Sequence, residues 1–223
     1  MTRKNPLKVD TRLILALDVT DREKAIHVVT EVKDHIDAVK INYPLVLSCG
    51  PGMVNLLSAI KPVICDFKIA DIPNTCRLIS ENAFLRGASG IIAHAFSGID
   101  SLEAIKKVAD LHDGDVFSVV EMSHPGAKES YEGVTDRLID ISLQAGVKGF
   151  IAPGTRPERI RHIRERAGKD AVILSPGIGA QGGDGRKAIE SGADFIIVGR
   201  AIYNSNKPGT VAKSIAESLK QSL

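Results

Sequence analysis

Eight short apolar runs, rich in β-branched residues, recur along the chain at 13–18, 38–41, 63–67, 90–94, 115–120, 149–152, 172–175 and 194–198. They are nearly continuous in hydrophobicity rather than alternating, which is how strands read when helices cover a parallel sheet. Stretches with helical spacing lie between them: 21–34 is rich in Glu, Lys and Val, and 100–111 carries apolar Leu102, Ile105, Val108 and Ala109 on one face. Strand starts fall about 25 residues apart with no linker between the units, so the pattern predicts a single-domain α/β fold, a (β/α)8 TIM barrel over 13–223 preceded by a leader at 1–12. An open doubly wound sheet is the competing architecture. Against it, the first strand runs into Asp18-Val19-Thr20-Asp21 instead of the Gly-rich turn that a dinucleotide-binding unit needs.

A chain of 223 residues, 43% hydrophobic, suffices for one substantial core. Lys and Arg total 29 against 27 Asp and Glu, and a net charge of +2 creates no basic field for nucleic acid or a membrane surface. A small molecule is the expected partner. Cys49, Cys65 and Cys76 show no C-x-x-C spacing, which speaks against a disulfide framework or structural zinc and for a reducing cytoplasm. Residues 2–11 are polar and basic, lacking the apolar run of a signal peptide, and no stretch of 18 apolar residues occurs. The leader reads either as a loose tail or as a segment crossing the base of the barrel.

In a barrel of this kind the loops after the strands build the active site. Polar residues gather there: Asp18 after the first strand, Lys40 in the second, Asp66 and Lys68 at the third, His94 at the fourth, Ser123 after the fifth, Gly199 and Arg200 after the eighth. Strand side chains two apart share a face, so Asp66 and Lys68 project together, and Lys40 on the next strand completes an alternation of charge. A plain salt-bridge network at the barrel mouth is the competing account. Asp71 likewise reads as a catalytic group or as the N-cap of the helix that Pro73 helps start. A second cluster follows the seventh strand, Ser175-Pro176-Gly177-Ile178-Gly179-Ala180-Gln181-Gly182-Gly183-Asp184-Gly185. With Gly199 and Arg200 it matches the phosphate site recurrent in this fold, where glycines let backbone N–H groups approach and arginine adds a planar charge. His27, His35, His112, His124 and His162 have no metal-ligand spacing and read as surface residues, and His94 as a wall residue.

Three motifs in order, Asp66-Phe67-Lys68-Ile69-Ala70-Asp71-Ile72-Pro73, Glu121-Met122-Ser123-His124-Pro125-Gly126 and the Ser175–Gly183 loop quoted above, carry a resemblance. The chain resembles the orotidine 5'-monophosphate decarboxylase family, most closely its short archaeal-type members, from about residue 13 onward. That resemblance implies decarboxylation of orotidine 5'-monophosphate to UMP, the last step of de novo UMP synthesis, without metal or cofactor. It implies a catalytic array of Lys40, Asp66, Lys68 and Asp71 in which Lys68 protonates C6 and Asp66 faces the departing carboxylate. It directs Asp18 and Lys40 to the ribose hydroxyls, Ser123 to the pyrimidine amide edge, and Gln181 and Arg200 to phosphate, beside Pro176, Gly177, Gly179 and Gly199. It further implies a homodimer in which Asp71 and Thr75 of one subunit reach the partner's substrate. Sugar-phosphate enzymes of the same suprafamily share the D-x-K-x-x-D element but use Mg2+; there the second strand supplies an acid where this chain has Lys40, and a cation repels a metal. One departure from the pattern is Asn42, where glycine is frequent. A non-catalytic nucleotide- or phosphosugar-binding barrel is the alternative outside enzymes.

Overall fold

The structure, a computed structural model, describes residues 7–220. Eight parallel strands close into a barrel in sequence order: β1 Leu13–Leu17, β2 Ala38–Ile41, β3 Val63–Ile69, β4 Gly90–His94, β5 Asp115–Val119, β6 Gly149–Ile151, β7 Val172–Pro176 and β8 Phe195–Val198. Closure is made by β8 on β1, with Leu13 opposite Ile196 and Leu15 opposite Val198. The helices are α1 Arg22–Val32, α2 Tyr43–Cys49, α3 Gly52–Ser58, α4 Pro73–Leu85, α5 Ile99–Leu111, α6 Ala127–Tyr131, α7 Thr135–Gln144, α8 Pro157–Ala167, α9 Gly185–Glu190, α10 Arg200–Tyr203 and α11 Pro208–Lys220. The apolar runs are strands because both their faces are covered: every residue of β1, β2, β6 and β8 is buried.

Phe117, Phe150 and Phe195 are among the largest fully buried side chains. Phe117 fits because its neighbours have no side chain. A Cβ on Gly90 would stand 2.9 Å, and one on Gly149 2.6 Å, from the Phe117 ring. Large and small residues thus interdigitate between adjacent strands, as close packing requires. The chain enters the barrel tied to Asp37, 7% exposed. Its carboxylate accepts from the backbone N–H of Asp10, Thr11 and Arg12 and from the Thr11 hydroxyl, at 2.9–3.1 Å. Of the leader read at 1–12, residues 1–6 lie outside the described residues.

Two local expectations are corrected. The third strand runs past 67 to Ile69, and its pairing with β4 slips: Cys65 lies opposite Ile91 but Ile69 opposite Ala93. Four steps on β3 match two on β4, a bulge that breaks simple alternation across Asp66, Phe67 and Lys68. Asp71 does not cap α4. Ile72 holds the N-cap position, and the Asp71 carboxylate accepts from Ile72 N at 2.7 Å instead. Among the described residues no helix is long and apolar enough to cross a membrane.

Candidate active site

A cavity of about 290 Å³ opens at the C-terminal ends of the strands. Asp18, Lys40, Asp66, Lys68, Ser123, Pro176, Gly177, Gln181, Gly199 and Arg200 all line it. The charged groups form a chain: Lys40 Nζ is 3.7 Å from Asp18 Oδ1 and 2.8 Å from Asp66 Oδ2, and Lys68 Nζ is 2.8 Å from Asp66 Oδ1. Lys68 reaches Asp66 through the bulge, where its backbone takes the left-handed region at φ +42°, a costly conformation for a side-chain-bearing residue. Tyr43 supports this turn by stacking on Phe67 and donating its hydroxyl to the Phe67 carbonyl at 3.0 Å.

Lys40 and Asp66 are 6% and 5% exposed. Burial works against both charges, yet each is held charged by its neighbours. Asp66 and Asp18 raise the Lys40 pKa above the ordinary lysine value, and Lys40 and Lys68 hold the Asp66 carboxyl below the ordinary carboxylate range. Next to them, His94 lies with its Nδ1 3.1 Å from the Tyr131 hydroxyl. Burial, reinforced by Lys68, lowers its pKa to about 4, so this imidazole is neutral near pH 7.

On the opposite wall the loop after β7 folds back on itself. Gly179 N donates to Gly183 O and Gly183 N to Gly177 O, both at 3.0 Å. Gly177 and Gly179 have φ of +97° and +72°, and a Cβ on Gly177 would come within 2.9 Å of Ser123 Cβ. Ser123 Oγ donates to Gln181 Oε1 at 2.8 Å, joining this loop to the one after β5. Arg200 is exposed and makes no ion pair among the described residues.

Three of the predicted residues stay outside the cavity: Gly179, Asp71 and Thr75 are not in its lining. Asp71 is exposed on the rim beyond β3, followed by Ile72 at 65% exposure. Several contributors were not legible as such. His124, read as a surface residue, is exposed but also lines the cavity, as do Met122, Ile178 and Tyr203. Asn42 both lines it and N-caps α2, accepting from Tyr43 N at 2.7 Å; an Asn before a Tyr-Pro pair was the available signal for the cap. Glu121, 3% exposed, is clamped by Arg156 Nη1 at 2.8 Å and Arg159 Nε at 2.9 Å, while Arg156 Nη2 donates to Met122 O at 2.7 Å. This clamp holds the loop that carries Ser123 against the loop after β6. Among the described residues no group of three or more His, Cys, Asp or Glu side chains is arranged to hold a metal ion.

The model of the orotidine 5'-phosphate decarboxylase / HUMPS family matches residues 11–215. The chain belongs to that family. Relatives within it include the orotidine 5'-phosphate decarboxylase of Methanococcoides burtonii, 51% identical over 208 residues covering 93% of this chain and 97% of the relative. The enzyme of the same name from Pyrococcus furiosus is 49% identical, covering 94% of this chain and 98% of its own. With such relatives, the chain is a carboxy-lyase. Among solved structures, orotidine 5'-monophosphate decarboxylase from Methanocaldococcus jannaschii, complexed with inhibitor BMP, superposes with a TM-score of 0.88 at 43% identity, covering 93% of this chain and 97% of that one. The orotidine 5'-phosphate decarboxylase of Pyrococcus horikoshii gives 0.86 at 47% identity, covering 93% and 99%.

Proposed function

We propose that this protein converts orotidine 5'-monophosphate to UMP and CO2, the last step of de novo UMP synthesis, without metal or cofactor. The observation that carries the reading is Lys40, whose ammonium sits between Asp18 and Asp66 at 3.7 and 2.8 Å. A divalent cation in the same cleft would need those carboxylates, and Lys40 already occupies the space between them. This separates the decarboxylase reading from the Mg2+-dependent sugar-phosphate chemistry found in the same suprafamily.

In the proposed reaction the bond from C6 to the carboxylate breaks, its electron pair stays on C6 in the ring plane, and CO2 leaves. Lys68 Nζ then gives a proton to C6 and is reprotonated from solvent. Asp66, kept ionised by two flanking lysines, faces the departing carboxylate. Two carboxylates ~4 Å apart repel by ~4 kcal/mol at an effective dielectric of about 20. Reactions of this difficulty require on the order of 20 kcal/mol, so the larger share falls to stabilisation of the developing carbanion by Lys68 and Lys40 in a preorganised field. Asp18 and Lys40 meet the ribose hydroxyls and Ser123 the pyrimidine amide edge. Arg200, Gln181 and the glycines at 177, 179 and 199, beside Pro176, take the phosphate. Phosphate binding remote from C6 then supplies energy for closing the Gln181 loop over the array.

The protein acts as a homodimer with shared sites in this reading. Its support is that Asp71 and Thr75 line no part of their own chain's cavity while Ile72 beside them is exposed. The barrel from residue 13 onward is the catalytic domain and 1–12 its leader, and the three free cysteines suit a cytoplasmic setting. The test is CO2 release from orotidine 5'-monophosphate by purified protein in excess EDTA. Undiminished turnover is expected. Chelator-sensitive release would point to metal-dependent chemistry, and nucleotide binding without release to a non-catalytic barrel.

A further inference from the structure

The Asp71 carbonyl lies just ahead of α4, and Cys76 N, in the first turn of that helix, donates to Ile72 O at 3.0 Å and not to the Asp71 oxygen. Two buried side chains supply donors instead. Ser101 Oγ, in the first turn of α5, donates to Asp71 O at 2.7 Å, and Cys76 Sγ, in the first full turn of α4, lies 3.1 Å from the same oxygen. Ser101 is 1% and Cys76 0% exposed. Ser101 is itself set by Asp100, whose Oδ1 accepts from Ser101 N at 2.9 Å. The result is a rim segment pinned from behind at one backbone oxygen while Asp71 and Ile72 face outward.

We propose that Ser101 is a positioning residue that sets the Asp71–Thr75 segment, and that it serves the partner subunit's active site rather than its own. This rests on the shared-site reading above. Neither Ser101 nor the segment it pins lines the cavity of its own chain. A hydroxyl that fixes Asp71 O therefore acts wherever the Asp71 carboxylate acts. Cys76 is the weaker second donor to the same oxygen.

Subunit exchange reads this directly. Ser101→Ala is expected to lower kcat about five-fold, the loss fitting one buried hydrogen bond. Mixed in equal amounts with Lys68→Ala and left unexchanged, it gives about a tenth of wild-type activity. After exchange, the mixed dimer holds one site with Lys68 from the Ser101→Ala chain and an intact Ser101–Asp71 pair from the other. Activity then rises about three-fold, to about three-tenths of wild type. If Ser101 acted within its own chain, exchange would leave the activity at about a tenth, and the proposal falls; it falls equally if the Ser101→Ala homodimer keeps wild-type kcat. The parallel exchange of Lys68→Ala with Asp71→Ala tests the shared site alone, so failure of that reading shows there while failure of the Ser101 role shows only in the first mixture. Should Ser101→Ala not fold, Cys76→Ala replaces it in the same exchange, with a smaller rise expected because that donor is the weaker, and a flat result overturning the proposal.

Discussion

Lys68 Nζ meets Asp66 Oδ1 at 2.8 Å although the bulge in β3 denies the two residues an ordinary shared strand face; the left-handed backbone at Lys68 brings them together. The array is thus built with backbone strain that the surrounding barrel must hold.

Lys68→Ala removes the proposed proton donor and the carbanion's nearest cation together. Its kcat should fall by at least ~100-fold, the lower range for a positioned general acid. Steady-state turnover of orotidine 5'-monophosphate measures it, and a variant that retains a tenth of wild-type kcat would show that Lys68 is not the central acid.

Arg200→Ala should weaken use of the intact nucleotide, seen as a lower kcat/KM, while scarcely changing the slow turnover of a substrate that lacks the phosphate. Comparing both substrates on both proteins is the measurement. Equal losses would remove Arg200 from the phosphate site.

Lys68→Ala and Asp71→Ala homodimers should each be nearly inactive. In the mixed dimer one site lacks both groups and the other has both, so random exchange of equal amounts restores roughly a quarter of wild-type activity. Mass spectrometry establishes that exchange has occurred. Exchange without recovery would place Asp71 in its own chain's site.

His94 predicts a pH dependence of stability. Its folded-state pKa of about 4 lies below the ordinary 6.5, so the unfolded chain takes up a proton that the folded protein refuses. The contribution is complete above 6.5 and is lost as pH falls from there to about 4. Denaturant unfolding from pH 7 to 4 should show wild type losing stability more steeply than His94→Asn, in which an amide can still meet the Tyr131 hydroxyl. Parallel curves for the two proteins would mean that His94 titrates normally.

Much of the fold was legible because burial on both faces leaves a local trace. The strands begin and end within two residues of the apolar runs, with β2 and β4 matching at both ends. Lys40 at a strand end and the Gly-rich loop after β7 were readable for the same reason, since a charge in an apolar run and clustered glycines are local signals. His124 and Asn42 were harder, because whether a residue beyond a strand end also borders a cavity depends on loops distant in sequence.

The sequence by itself determined the eight-fold strand and helix alternation, the family, and which charged residues fall at the strand ends, because hydrophobic period and motif order are properties of the chain. Only the tertiary structure decided the slip in register between β3 and β4, the Glu121 clamp by Arg156 and Arg159, and the pinning of Asp71 by Ser101. Each of these joins residues from separate strands, helices or loops, with Ser101 and Asp71 30 positions apart. Such contacts come into being when the barrel closes, since closure removes water from both partners and leaves them only each other to satisfy their hydrogen bonds and charge.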